Sequence, residues 1–156
     1  MKKVLFISSM GGHLDELMQL KPLFKEYEYF LVTEKTETTA PLVNEYKDKI
    51  GYLVYGTKHH LFSYLFIFAF NILKSFYYFL KFRPKAVVTT GTHTAVPMCY
   101  IAKLFGAKVV FIETFANRTT KTVAGRIVYP IADLFIVQWK EMLELYPKAI
   151  YEGWIY

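Results

Sequence analysis

Val4-Leu5-Phe6-Ile7-Ser8-Ser9-Met10-Gly11-Gly12-His13-Leu14 decides the fold: four consecutive apolar residues, a turn of hydroxyls and glycines, then the start of a helical pattern. An unbroken apolar run of that kind fits a strand covered on both faces, as in a parallel sheet. The paired glycines let the backbone turn tightly, and the helix start after them offers free N–H groups. The run is shorter than the roughly 7 apolar residues of a secretory signal, so the chain is expected to stay unsecreted.

The same signature recurs along the 156 residues. Apolar runs at 29–33, 52–55, 86–90, 108–112 and 134–138 read as further strands. Helical patterns lie between them at 13–26, 38–48, 60–82, 94–105 and 120–131, with another at 140–146. Regular alternation predicts an α/β fold, a doubly wound and mainly parallel Rossmann-like sheet, in one domain over residues 1–156. In such a sheet the loops at the carboxyl ends of the strands carry function. The single cysteine, Cys99, excludes an internal disulfide and a cysteine-built zinc site, and it suits a reducing compartment. No metal site and no cofactor is expected.

Two strand ends share unusual chemistry. Gly11, Gly12 and His13 follow the first strand, and Gly91, Thr92 and His93 follow the fourth. Hydroxyls and glycines at a helix start suit a pyrophosphate or a sugar, and two such loops favour one shared cleft. Neither loop has the spacing of a dinucleotide fingerprint or a P-loop, so Glu34 at the end of the second strand does not argue for NAD. The fifth strand ends in Glu113, the first acid after 64 residues without one. Its carboxylate is suited to binding sugar hydroxyls, orienting His13 or acting as a base; pairing with Arg118 is the plain structural alternative. Trp139, after Gln138 at the last strand's exit, fits a sugar face, an interface or the core.

Charge and aromatics point to a surface. The interval from 49 to 112 carries eight cations and no acid, a local net charge of +8 against −2 for the rest. Within it, 61–80 is apolar and aromatic but for a few residues, among them Asn71 and Lys74. Twenty residues would just cross a hydrocarbon layer of about 30 Å. Asn71, Lys74, the position between two strands of one sheet, and the cationic flanks (Lys58, His59 and His60; Lys81, Arg83 and Lys85) favour a helix lying in the interface instead. Its expected membrane contacts are Phe62, Phe66, Phe70, Lys74, Tyr77, Lys81 and Arg83. Nucleic acid is not an expected partner, because this helix has almost no polar face.

Taken in order, Ser8-Ser9-Met10-Gly11-Gly12-His13, Gly91-Thr92-His93 with Pro97, Ile112-Glu113-Thr114-Phe115-Ala116 and Ala132-Asp133-Leu134-Phe135-Ile136-Val137-Gln138-Trp139 resemble one family. It comprises the amino-terminal, membrane-associated subunits of split GT-B glycosyltransferases. Bacterial capsular and exopolysaccharide proteins belong to it, as does the membrane subunit of the eukaryotic dolichol-linked N-acetylglucosamine transferase. The resemblance implies an acceptor-side domain equivalent to the amino-terminal half of a GT-B enzyme, with a separate partner binding the donor.

The implied reaction is inverting transfer from a UDP-linked sugar to a saccharide on polyprenyl pyrophosphate, at the cytoplasmic membrane face, with the chain inactive or weakly active alone. His13 is then the expected base and Glu113 its alternate. Gly11, Gly12, Gly91, Thr92, His93 and Asn117 would bind acceptor, and Gln138, Trp139, Trp154 and Tyr156 would meet the partner. The competing reading is a non-catalytic scaffold that recruits and activates that partner. The longer glycine loop of fused relatives is incomplete here, since Ser9-Met10 precedes Gly11. The amino-terminal anchor of eukaryotic relatives is not found, so attachment is expected to rest on residues 58–85.

Overall fold

The computed structural model describes residues 1–56 and 61–155. Lys58, His59, His60 and Tyr156, and the side chain of Phe62, lie outside the described residues. Seven strands form one parallel sheet in the order β3-β2-β1-β4-β5-β6-β7. They are β1 (Lys3–Ile7), β2 (Glu28–Lys35), β3 (Ile50–Val54), β4 (Ala86–Thr89), β5 (Lys108–Ile112), β6 (Leu134–Val137) and β7 (Ile150–Tyr151). The first six agree with the apolar runs; two-residue β7 is too short to leave a pattern. Strand order reverses between β1 and β4, so their carboxyl ends flank the crevice where doubly wound sheets bind ligands.

The helices are α1 (Gly12–Met18), α2 (Leu42–Tyr46), α3 (Leu61–Phe82), α4 (Val96–Leu104) and α5 (Val123–Val128). Most are shorter than their sequence patterns. Pro22 lacks an N–H, and the chain passes after Met18 into a 3-10 turn at Lys21–Lys25. The pattern at 140–146 is likewise a 3-10 turn, Lys140–Glu144.

Alternate residues of β1 serve two cores. Leu5 and Ile7 pack with Val87 and Val109 against Phe79, Met98 and Val128 from α3, α4 and α5. Val4 and Phe6 pack on the other side with Leu17, Phe24 and Leu31. Among the described residues, the crossover helices from β3 onward fall on the first side, and only the short segments between β1 and β3 cover the second. Its β4–β6 half is left open, a hollow of about 750 Å³ floored by Val88, Val110 and Ile136. Lys2, Lys3, Lys85 and Lys108 stand at its margin.

Helix α3 closes the β3 edge. Asn71 Oδ1 accepts from Val54 N and Asn71 Nδ2 donates to Val54 O, both at 2.8 Å. Seven residues on, the Tyr78 hydroxyl accepts from Tyr52 N at 3.0 Å and donates to Tyr52 O at 3.1 Å. These side chains satisfy the backbone groups that a neighbouring strand would otherwise take.

Candidate functional site

The cleft lies at the carboxyl ends of β1 and β4. His13, Thr90, Gly91, Thr92 and His93 line a hollow of about 350 Å³ with Thr122, Val123 and Ala124 at the start of α5. The two expected loops therefore do share one crevice. Gly91 adopts φ +99°, a conformation that residues with side chains rarely take, so glycine serves the turn.

Reciprocal bonds join the loops. His13 Nδ1 lies 2.8 Å from Thr90 O, and Thr90 Oγ1 donates to His13 O at 2.6 Å. A carbonyl only accepts, so Nδ1 carries the hydrogen, and in the neutral ring Nε2 is the nitrogen with the lone pair. Farther along the crevice, Glu34 accepts from Met10 N at 3.2 Å and from Thr94 Oγ1 at 2.6 Å. Glu34 is a buried tie between the same two loops.

Glu113, expected as the alternate base, lies outside the lining of the His13 hollow. It is 1% exposed, and its oxygens accept from Thr122 Oγ1, Thr122 N, Thr114 N and the Tyr146 hydroxyl. It stands behind Thr122 rather than in the cleft, and it orients α5 rather than His13. Burial, followed by the bond to Glu113, pushes the Tyr146 hydroxyl well up. A Cβ on Gly125 would stand far inside van der Waals distance of Glu113 Oε2 and the Tyr146 oxygen. Arg118 pairs with Glu141 and lies over the Trp139 ring, so the alternative Glu113–Arg118 pair does not form.

Other expectations shift in the same way. Gly11, with φ +76°, accepts from Leu14 N and Asp15 N to start α1. Gly11 and Gly12 are exposed beside the His13 hollow rather than in its wall. Asn117 turns its amide to Thr120, at 3.1 Å to both the carbonyl and the hydroxyl. Gln138 is buried, donating to Glu113 O at 3.0 Å and accepting from Ile155 N at 3.2 Å, so it holds the tail instead of facing outward. Trp139 and the exposed Trp154 pack with Phe115 in one aromatic group.

The acid that sequence reading passed over is Glu16, one helical turn after His13. It is buried, accepting from Thr114 Oγ1 at 2.7 Å, Phe115 N at 3.1 Å and Gln138 Nε2 at 3.3 Å. Burial raises its pKa, against those bonds and the neighbouring His13. The spacing of His13 and Glu16 was the available signal, because three positions along a helix share a face.

Residues 54–155 match the family described as "Oligosaccharide biosynthesis protein Alg14 like". The chain belongs to the Alg14-like family. The mouse UDP-N-acetylglucosamine transferase subunit ALG14 is 27% identical, the alignment covering 97% of this chain and 82% of the relative. The Candida albicans subunit is 36% identical over 47% of this chain and 36% of its own. Among solved structures, Acinetobacter baumannii MurG matches with a TM-score of 0.74 at 16% identity, over 90% of this chain and 43% of MurG. UDP-N-acetylglucosamine 2-epimerase from Rickettsia bellii gives 0.74 at 17%, over 99% and 45%. The chain thus spans less than half of these structures, and the likeness supports the fold: a Rossmann-like half of the GT-B kind.

Proposed function

We propose that this Alg14-like chain is the acceptor-side subunit of a two-component inverting glycosyltransferase. In this reading a partner binds the nucleotide sugar, UDP-linked, and this chain binds a saccharide on polyprenyl pyrophosphate at the cytoplasmic membrane face. A bacterial capsule or exopolysaccharide is the proposed product. The mouse relative, named as a UDP-N-acetylglucosamine transferase subunit, supports the transferase part.

The observation that carries the mechanism is the His13–Thr90 bond. With Nδ1–H held on the Thr90 carbonyl, Nε2 is the nitrogen left to take a proton. The acceptor hydroxyl gives its proton to Nε2 as its oxygen attacks the donor sugar's anomeric carbon, and the nucleotide leaves with the bonding pair. Gly91, Thr92 and His93 form the wall where the acceptor's sugar or diphosphate would rest. Reconstituting the chain with its donor-binding partner tests this. His13→Ala should lower transfer about 10²–10⁴-fold while association persists; full activity in that variant would reject His13 as base and favour the scaffold reading.

Two surfaces support a protein partner. The open sheet face suits a segment with an apolar side and acidic flanks, since lysines stand at its margin. Trp139 and Trp154 offer a second aromatic patch beside Phe115. For membrane attachment, α3 carries a stretch long and apolar enough to cross a bilayer, Ser63–Phe82. The bonds from Asn71 and Tyr78 to the edge strand favour an interfacial helix over a span, because a crossing helix would have to leave the sheet edge.

A further inference from the structure

Helices α3, α4 and α5 form one layer on a single side of the sheet. Phe105, just past α4, packs against Phe76 and Phe79 of α3, with ring centroids 5.8 and 5.5 Å apart. Tyr100 of α4 donates its hydroxyl to the Ile127 carbonyl of α5 at 3.0 Å. The outer surface of this layer is apolar well beyond α3: Leu73 is 67% exposed, Leu104 82% and Val123 67%. Its charge is one-sided as well. No carboxylate occurs in α3, α4 or α5, which carry Lys74, Lys81, Lys103 and Arg126, Lys103 being paired with Asp133 at 3.1 Å. On the opposite side of the sheet, α1 and α2 hold Asp15, Glu16 and Glu45.

We propose that the membrane-binding surface is the whole α3–α4–α5 layer, and that its occupant is an anionic phospholipid bilayer. The proposal rests on the interfacial reading of α3 and extends it to two further helices. Exposed apolar side chains interspersed with cations, on helices that carry no carboxylate of their own, fit the headgroup–acyl boundary of such a bilayer. The layer also reaches the cleft, since Thr122, Val123 and Ala124 at the start of α5 line the His13 hollow. A lipid-linked acceptor moving laterally in the bilayer would therefore meet the cleft at the rim of the same surface.

Single cysteines at Leu73, Leu104, Ile127 and Glu26, each carrying an environment-sensitive fluorophore, test this in the full chain. Cys99 is buried, which pushes its thiol up to about 12, so labelling falls on the introduced positions. On vesicles of phosphatidylcholine with phosphatidylglycerol, the labels at 73, 104 and 127 should shift to the blue, and the one at Glu26, outside this layer, should not. A shift at 73 with none at 104 or 127 would overturn the three-helix surface and leave α3 as the sole contact. No shift at any position would overturn the interfacial reading of α3 as well.

Discussion

His13 and Thr90 hold each other across the switch point of the sheet: the imidazole Nδ1–H donates to the Thr90 carbonyl, and the Thr90 hydroxyl donates to the His13 carbonyl. Two loops that are 77 positions apart in sequence thereby share one geometry. The ring's remaining nitrogen and the orientation of the cleft are set together.

Thr90→Val keeps the ring's bond to the backbone carbonyl and removes the hydroxyl that holds the His13 carbonyl. Losing one hydrogen bond of this kind costs about 0.5–1.5 kcal/mol, and small displacements of a catalytic group are amplified in rate. Transfer should fall on the order of 10-fold with acceptor KM nearly unchanged, read from steady-state kinetics of the reconstituted pair. An unaltered kcat would show that the hydroxyl does not position His13.

Asn71→Leu tests how α3 is attached. The substitution suits an apolar helix by composition, but it strands both Val54 N and Val54 O at the sheet edge. Unfolding free energy should drop by about 2 kcal/mol or more, as each group loses its partner. Urea titration of the purified chain measures it; a stability gain would mean that the edge is satisfied in another way.

At Gly125 the expected cost is steric. A methyl there must displace both the Glu113 carboxylate and the Tyr146 hydroxyl, which are buried. Gly125→Ala should therefore destabilise by about 1–3 kcal/mol, the usual range for overpacking. Transfer should weaken with it, since Thr122 at the cleft wall is held by the same carboxylate.

Asp133 predicts a pH dependence. Burial opposes its ionisation, yet the Val109 N–H, Lys108 and Lys103 outweigh it and hold the carboxyl down at about 2. A folded-state value below the unfolded one, near 3.9, contributes stability above that unfolded value. This contribution is lost as pH falls through about 2. Asp133→Asn should lower the thermal midpoint at pH 6, and the difference from the parent should close as pH drops from about 4 toward about 2. A constant difference over that range would mean that ionisation of Asp133 is not the source.

Much of this was legible from local pattern. The apolar run at 4–7, the glycine turn and the matching Gly91-Thr92-His93 loop together locate the crevice, because parallel strands and tight turns impose their own residue types. The roles of the acids were not legible. Glu113 stands at a strand end, where catalytic groups gather, yet its partners are Thr122, 9 positions away, and Tyr146, 33 positions away. Glu16 reads as a polar residue on the helical pattern at 13–26 until Thr114 and Gln138, 98 and 122 positions distant, fold against it.

By itself the sequence determined the alternating parallel architecture, the cationic and aromatic interval and the two glycine-histidine loops, all of which are periodicities or compositions within a few residues. Tertiary structure alone decided that Asn71 serves the sheet edge, that Glu113 is a buried strut, and that half of one sheet face stays open. The reason is physical. A hydrogen-bonding side chain has the same capacity wherever it stands, and the partner that satisfies it is chosen by packing between segments far apart in the chain.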